Sequence, residues 1–184
     1  MSICIFPGTF NPIHYGHIKM AEYALEKYNF DKIIFIPSYL PPHKEIDAEL
    51  AKHRYEMVKL IIATNPKFEI SDIEYKSEGK SYSLITVKKI IEQYKLKERL
   101  NFIIGTDAFA KIDTWYHAEE IKPLVHFIVF NREGTTLDSM NGWDYELSDM
   151  DFVDVSSTEI RQGKTEKISS ELEDYIKKNG LYKV

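Results

Sequence analysis

Ile3-Cys4-Ile5-Phe6-Pro7-Gly8-Thr9-Phe10-Asn11-Pro12-Ile13-His14-Tyr15-Gly16-His17 reads as strand, turn and helix start in immediate succession. The apolar run over residues 2 to 6, ended by Pro7 and Gly8, suits a strand buried on both faces of a parallel sheet. Ile18, Ala21, Leu25 and Tyr28 then fall at helical spacing, so a helix is expected from about His14 or Tyr15. The same unit recurs outward along the chain. Lys32 to Ile36 predicts a second strand, residues 49–64 a helix, and residues 67–70 a third strand. Leu84, Val87, Ile91 and Tyr94 mark another helix, Leu100 to Ile104 a fourth strand and Val125 to Phe130 a fifth. Such alternation implies right-handed crossovers and an α/β, Rossmann-like, doubly wound parallel sheet of about five strands with helices on both faces. No repeat, linker or second boundary is visible, so one domain over residues 1–184 is expected.

Two long loops, residues 37–48 and 131–150, are rich in turn formers and are expected to carry ligand contacts or act as lids. The last helix, with Leu172, Tyr175 and Ile176, stops at Asn179 and Gly180 and reads as packing alone.

Composition narrows the class of function. A chain of 184 residues can bury about 70% of its unfolded surface without disulfides or metals. Lys plus Arg number 24 against 29 acids, a net charge of -5, which argues against binding nucleic acid or a membrane surface through a basic field. A phosphate ligand must therefore be met by local positive charge. The single cysteine, Cys4, lies in an apolar run and is read as core. No apolar run is long enough to span a bilayer and no basic leader precedes one, so a cytoplasmic location is expected.

Open parallel sheets bind ligands beyond the carboxyl ends of their strands, where the winding reverses. No G-x-G occurs, and Gly79-Lys80-Ser81 has Glu74 where a Walker A loop needs its first glycine, so both common phosphate loops are excluded. The first strand leads instead to a pair of histidines, His14 and His17, three apart in the first turn of a helix. Free amides and the helix dipole there favour an anion, imidazoles add donors that a phosphate would bias toward their charged form, and Gly16 leaves room for a bulky group to approach. Taken alone, H-x-x-H would equally read as a surface pair or a partial metal site, although no third ligand is evident.

The longer string Gly8-Thr9-Phe10-Asn11-Pro12-Ile13-His14-Tyr15-Gly16-His17 resembles the ATP-holding segment of the nucleotidyltransferase superfamily, and Val155-Ser156-Ser157-Thr158-Glu159-Ile160-Arg161 is similar to its carboxyl-side I-S-S-T-x-[IL]-R segment. Further segments look like the bacterial nicotinate-nucleotide adenylyltransferases. They are Pro41-Pro42-His43-Lys44, the helix His53-Arg54-Tyr55-Glu56-Met57, Ser81-Tyr82-Ser83, Gly105-Thr106-Asp107 with Trp115 and Tyr116, and Arg132. Together they span nearly the whole chain. Pro7 stands where that family usually has Gly, an opening shared with pantetheine-phosphate adenylyltransferases, and Asn11 replaces the more frequent Asp.

This resemblance implies adenylyl transfer from ATP to nicotinate mononucleotide, giving deamido-NAD and pyrophosphate. It also implies the residues. His14, His17, Arg161 and Lys44 would be catalytic, and ATP would be held by Gly8, Thr9, Phe10, Asn11, His14, Gly16, His17, Gly105, Asp107, Ser157, Thr158 and Arg161. The nicotinate nucleotide would meet Lys44, Ser83, Trp115, Tyr116 and Arg132, with the helix carrying Arg54 read as structural. Magnesium is expected to arrive with ATP, since no carboxylate cluster suggests a metal cage. The partners expected are the two nucleotides, with a homo-oligomer left open. Alternatives are the same chemistry on nicotinamide mononucleotide or 4'-phosphopantetheine, a synthetase fragment suggested by H-x-G-H, and a non-catalytic nucleotide-binding module.

Overall fold

The computed structural model describes residues 1–41, 47–77, 79–131, 137–150 and 155–184. Six strands, β1 (Ile3–Gly8), β2 (Lys32–Pro37), β3 (Phe68–Ile70), β4 (Leu100–Gly105), β5 (Val125–Phe130) and β6 (Tyr145–Leu147), form one sheet in the order β3-β2-β1-β4-β5-β6. Every neighbouring pair is parallel. The winding reverses between β1 and β4, so Gly8 and Gly105 end adjacent strands at the mouth of the switch-point crevice.

The strands are continuous apolar runs because both faces are covered. Along β1, Cys4 and Phe6 join a core with Ala21 and Ala24 of α1 (Tyr15–Lys27), Met57 and Val58 of α2 (Ala51–Ile62), and Ile176 of the last helix. Ile3 and Ile5 alternate to the other face and meet Leu84, Val87 and Ile90 of α3 (Ser83–Tyr94). Two short helices, α4 (Thr106–Phe109) and α5 (Ala118–Ile121), come after β4, and α6 (Ser157–Arg161) and α7 (Ser170–Lys178) complete the chain. Cys4 is sealed in the core, where burial pushes its thiol well up. Among the described residues no helix is long and apolar enough to cross a membrane.

The sheet has six strands rather than about five, because part of the segment read as a loop over residues 131–150 is β6. Three residues, Tyr145-Glu146-Leu147, carry too little apolar pattern to predict a strand, and Leu147 is exposed at the sheet edge. Contacts remote in sequence hold it. His126 Nδ1 lies 3.0 Å from Asp144 Oδ1, Arg99 Nη1 lies 2.9 Å from Asp144 Oδ2, and Trp143 buries its ring while donating to Asp113 at 2.9 Å.

Phe127 is fully buried, with ring centroids 4.9 Å from Phe102, 5.2 Å from Phe109 and 5.8 Å from Trp143. Its truncation empties the space that seats β5 against α4 and the approach to β6. Phe127→Ala should cost about 3–5 kcal/mol of stability in urea denaturation.

Candidate active site

The turn after β1 is fixed from within. Phe10 has a left-handed backbone (φ 49°) that swings its ring back over the strand end, 5.3 Å from Phe6 and 5.0 Å from His17. A β-carbon at Gly8 would stand 3.0 Å from that ring, which is why the strand ends in glycine. Phe10 is thus core, and only its backbone remains for a ligand.

His14 caps α1. Its Nδ1 accepts the Gly16 N–H at 3.0 Å, and His17 Nδ1 accepts the His14 N–H at 3.1 Å. A nitrogen that accepts carries no proton, so each neutral imidazole bears its N–H at Nε2. The two rings stack at 3.8 Å with planes 23° apart, giving paired Nε2–H donors at the first helical turn. A further proton on either Nδ1 would face a backbone N–H, and two imidazoliums at that spacing would repel. Gly16 differs from its reading as room for a ligand. A β-carbon there would meet His14 Cε1 at 2.8 Å and Val155 Cγ1 at 2.9 Å, so the space belongs to the chain itself.

Val155 arrives with the second predicted segment, and the two meet. Ser156 caps α6 by accepting the Glu159 N–H. The Ser157 hydroxyl donates to Pro12 O at 2.9 Å, and Arg161 Nη1 donates to Asn11 O at 2.8 Å. Arg161 Nη2 donates to Thr158 Oγ1 at 3.1 Å, which keeps the guanidinium over the start of its own helix. The segment after α7 joins them, for the Tyr182 hydroxyl donates to Asn11 Oδ1 at 2.6 Å and the Lys183 N–H to Arg161 O at 3.1 Å. The tail therefore does more than pack.

The same turn is held from below by Arg54, whose side chain has no exposed surface. It donates to Thr9 O at 2.8 Å, Ser38 O at 2.6 Å and Tyr39 O at 2.9 Å, so one guanidinium ties the loops after β1 and β2. Burial lowers its proton affinity, and Nε has no partner. Near it, Glu74 is buried and accepts from Thr86 Oγ1 at 2.7 Å, and desolvation pushes its carboxyl above the usual range despite that bond and a further one from Ser81. Ser81 in turn hydrogen-bonds the 39–40 loop, its N–H donating to Leu40 O at 2.9 Å and its hydroxyl accepting from Tyr39 N–H at 3.3 Å. Ser83 is placed beside this junction as the first residue of α3.

Across the crevice, Gly105 ends β4 and Asp107 lies in the first turn of α4. Trp115 is half-buried, its ring 6.2 Å from Phe102. Tyr116 is 45% exposed and stacks on Tyr82 at 4.3 Å, with planes 23° apart. That aromatic pair joins the Ser81-Ser83 turn to the Trp115-Tyr116 turn. In sequence Tyr82 reads only as part of a turn, since nothing local pairs it with a ring so far along the chain. Lys44 and Arg132 lie outside the described residues. Among the described residues no group of three His, Cys, Asp or Glu is arranged to hold a metal ion.

This packing makes Gly16 and Glu74 testable. Gly16→Ala should displace the His14 ring and Val155 and lower turnover by about tenfold or more while the chain remains folded, measured as rate beside circular dichroism. A raised carboxyl means that the native state holds the Glu74 proton more tightly than the unfolded chain, so Glu74 costs stability as pH climbs above its ordinary 4.5. Glu74→Gln should consequently gain on the native sequence between pH about 4 and about 8, read as urea midpoints at both ends.

A cytidylyltransferase-like family profile matches residues 5–163. A Caldicellulosiruptor saccharolyticus protein named probable nicotinate-nucleotide adenylyltransferase is 40% identical over the full length of both chains. A Fusobacterium nucleatum protein of the same name is 39% identical over 88% of this chain and 86% of its own. The fold is shared with Plasmodium falciparum nicotinic acid mononucleotide adenylyltransferase, solved with NaAD, at TM-score 0.83 and 22% identity over 98% of this chain and 96% of that one. A second structure of that protein, complexed with APC, aligns at TM-score 0.80 and 21% identity over the same shares. With relatives this similar over at least 86% of each chain, the chain belongs to the cytidylyltransferase-like family and, within it, to the nicotinate-nucleotide adenylyltransferases.

Proposed function

We propose that this enzyme transfers the adenylyl group of ATP to the phosphate of nicotinate mononucleotide, forming deamido-NAD and pyrophosphate in NAD biosynthesis. The observation that carries the proposal is the meeting of the His14-His17 donor pair and Arg161 at one turn, Asn11 to Pro12, beside the switch between β1 and β4.

A phosphate oxygen of the acceptor attacks the α-phosphorus, the bond to the bridging oxygen of the β-phosphate breaks, and pyrophosphate leaves. The nucleophile is already an anion at neutral pH, so no general base and no covalent intermediate are required. Catalysis reduces to alignment and stabilisation of charge. In this reading the Nε2–H groups of His14 and His17 contact the α- and β-phosphates. Arg161 and the Ser157 and Thr158 amides hold the β- and γ-phosphates, and Lys44 neutralises the crowded anions. Gly8, Thr9, Phe10, Asn11 and Gly16 shape the turn around the triphosphate, Phe10 through its backbone. Gly105 and Asp107 serve the nucleoside, with the Asp107 carboxylate suited to ribose hydroxyls. The acceptor's carboxylate suits the α3 start at Ser83, its pyridinium the Trp115 and Tyr116 rings, and its charge Arg132. Magnesium would arrive with ATP and would share the triphosphate charge with these donors.

Magnesium ATP offered in parallel with nicotinate mononucleotide, nicotinamide mononucleotide and 4'-phosphopantetheine tests the assignment. Pyrophosphate should be released fastest with the first, with deamido-NAD identified by mass. Preference for another acceptor overturns the substrate, and no release with any of them overturns the activity. His17→Ala should lower kcat about a hundredfold or more, because a lost donor at developing charge costs about 2.7–4 kcal/mol.

A further inference from the structure

Tyr182 combines three features that packing alone does not require. Its backbone is left-handed (φ 58°), a conformation that costs an aromatic residue about 1 kcal/mol or more and persists where surrounding structure imposes it. Its hydroxyl makes a 2.6 Å bond across the fold to Asn11 Oδ1. The next residue, Lys183, donates its N–H to the carbonyl of Arg161, whose guanidinium donates to the carbonyl of Asn11. A closed circuit results. Tyr182 grips the Asn11 side chain, Arg161 grips the Asn11 backbone, and the peptide after Tyr182 grips the Arg161 backbone. Burial pushes the Tyr182 phenol up against the pull of the Arg54 and Arg161 guanidiniums, so it remains a donor at neutral pH.

We infer that Tyr182 is a positioning residue for adenylyl transfer: its hydroxyl, through Asn11, sets the register between the turn that carries His14 and His17 and the helix that carries Arg161. It touches neither nucleotide. It makes the two phosphate-holding segments present their donors at one spacing, which a triphosphate bridging them needs. The inference rests on the proposed function, because the spacing matters only if both segments hold one polyphosphate.

Tyr182→Phe keeps the ring and removes only the hydroxyl. It should lower kcat/KM for ATP about five- to tenfold, the usual loss for one neutral hydrogen bond at a site. The KM for nicotinate mononucleotide should stay within about twofold and Tm within about 4 °C. In an Asn11→Ala background the same change should have no further effect, because the circuit is already open. A merely structural hydroxyl would move Tm and both substrates' constants together. Native-like kcat/KM for ATP in Tyr182→Phe, or an undiminished effect beside Asn11→Ala, overturns the inference. ATP affinity by calorimetry separates this failure from that of the function. If the native chain binds ATP without releasing pyrophosphate, the activity is wrong and Tyr182 is judged by the affinity ratio alone. If it binds no ATP, both fall.

Discussion

A guanidinium with no contact with solvent sits beneath the loops that leave β1 and β2. Arg54 gives its donors to the carbonyls of Thr9, Ser38 and Tyr39, groups that have no ladder partner once the strands have ended. Burying a charge is costly, and three oriented carbonyls offset it here. Removing the side chain would leave those carbonyls dry. The shape of the crevice mouth depends on that tie, because past Gly8 and Ser38, whose N–H and hydroxyl both donate to the Gly8 carbonyl, Arg54 is what joins Thr9 to Tyr39.

Above Arg54 the turn is held at nearly every residue. Phe10 is sunk in the core, Asn11 is bonded through both backbone and side chain, Pro12 accepts from Ser157, and His14 and His17 are locked by main-chain amides. A reaction whose nucleophile arrives already charged asks little of acid–base chemistry and much of geometry, and donors fixed in advance lose no free energy to reorganisation when charge moves. The histidine stack fits this demand, since both rings are oriented by the backbone.

The long strands and amphipathic helices are legible in the sequence because burial on two faces writes itself as unbroken apolar runs, and β5 is placed to the residue. The two segments that meet at Asn11 and Pro12 are legible because each is short and contiguous. Long-range contacts are not. β6 is an edge strand of three residues pinned by His126 and Arg99, and no local periodicity reports an ion pair between distant segments. Gly16 reads as space for a ligand, whereas the space is filled by a ring two residues back and a methyl from Val155. Arg54 is recognisable as structural, but its service to the Thr9 and Tyr39 carbonyls is not. Tyr182 follows the helix stop with nothing local to mark it, because its partner is 171 positions away.

The wide separation in sequence of Asn11 and Pro12 from Ser157 and Arg161 has a consequence for synthesis. A nascent chain stopped before Ser157 already contains all the strands of the sheet, the histidine pair and Arg54, yet has nothing to clasp Asn11 and Pro12 from the carboxyl side. Such a fragment also lacks Ile160, Ile168, Leu172, Ile176 and Leu181, which fill one face of the core, so the turn after β1 and the core beneath it are completed by the same late segment.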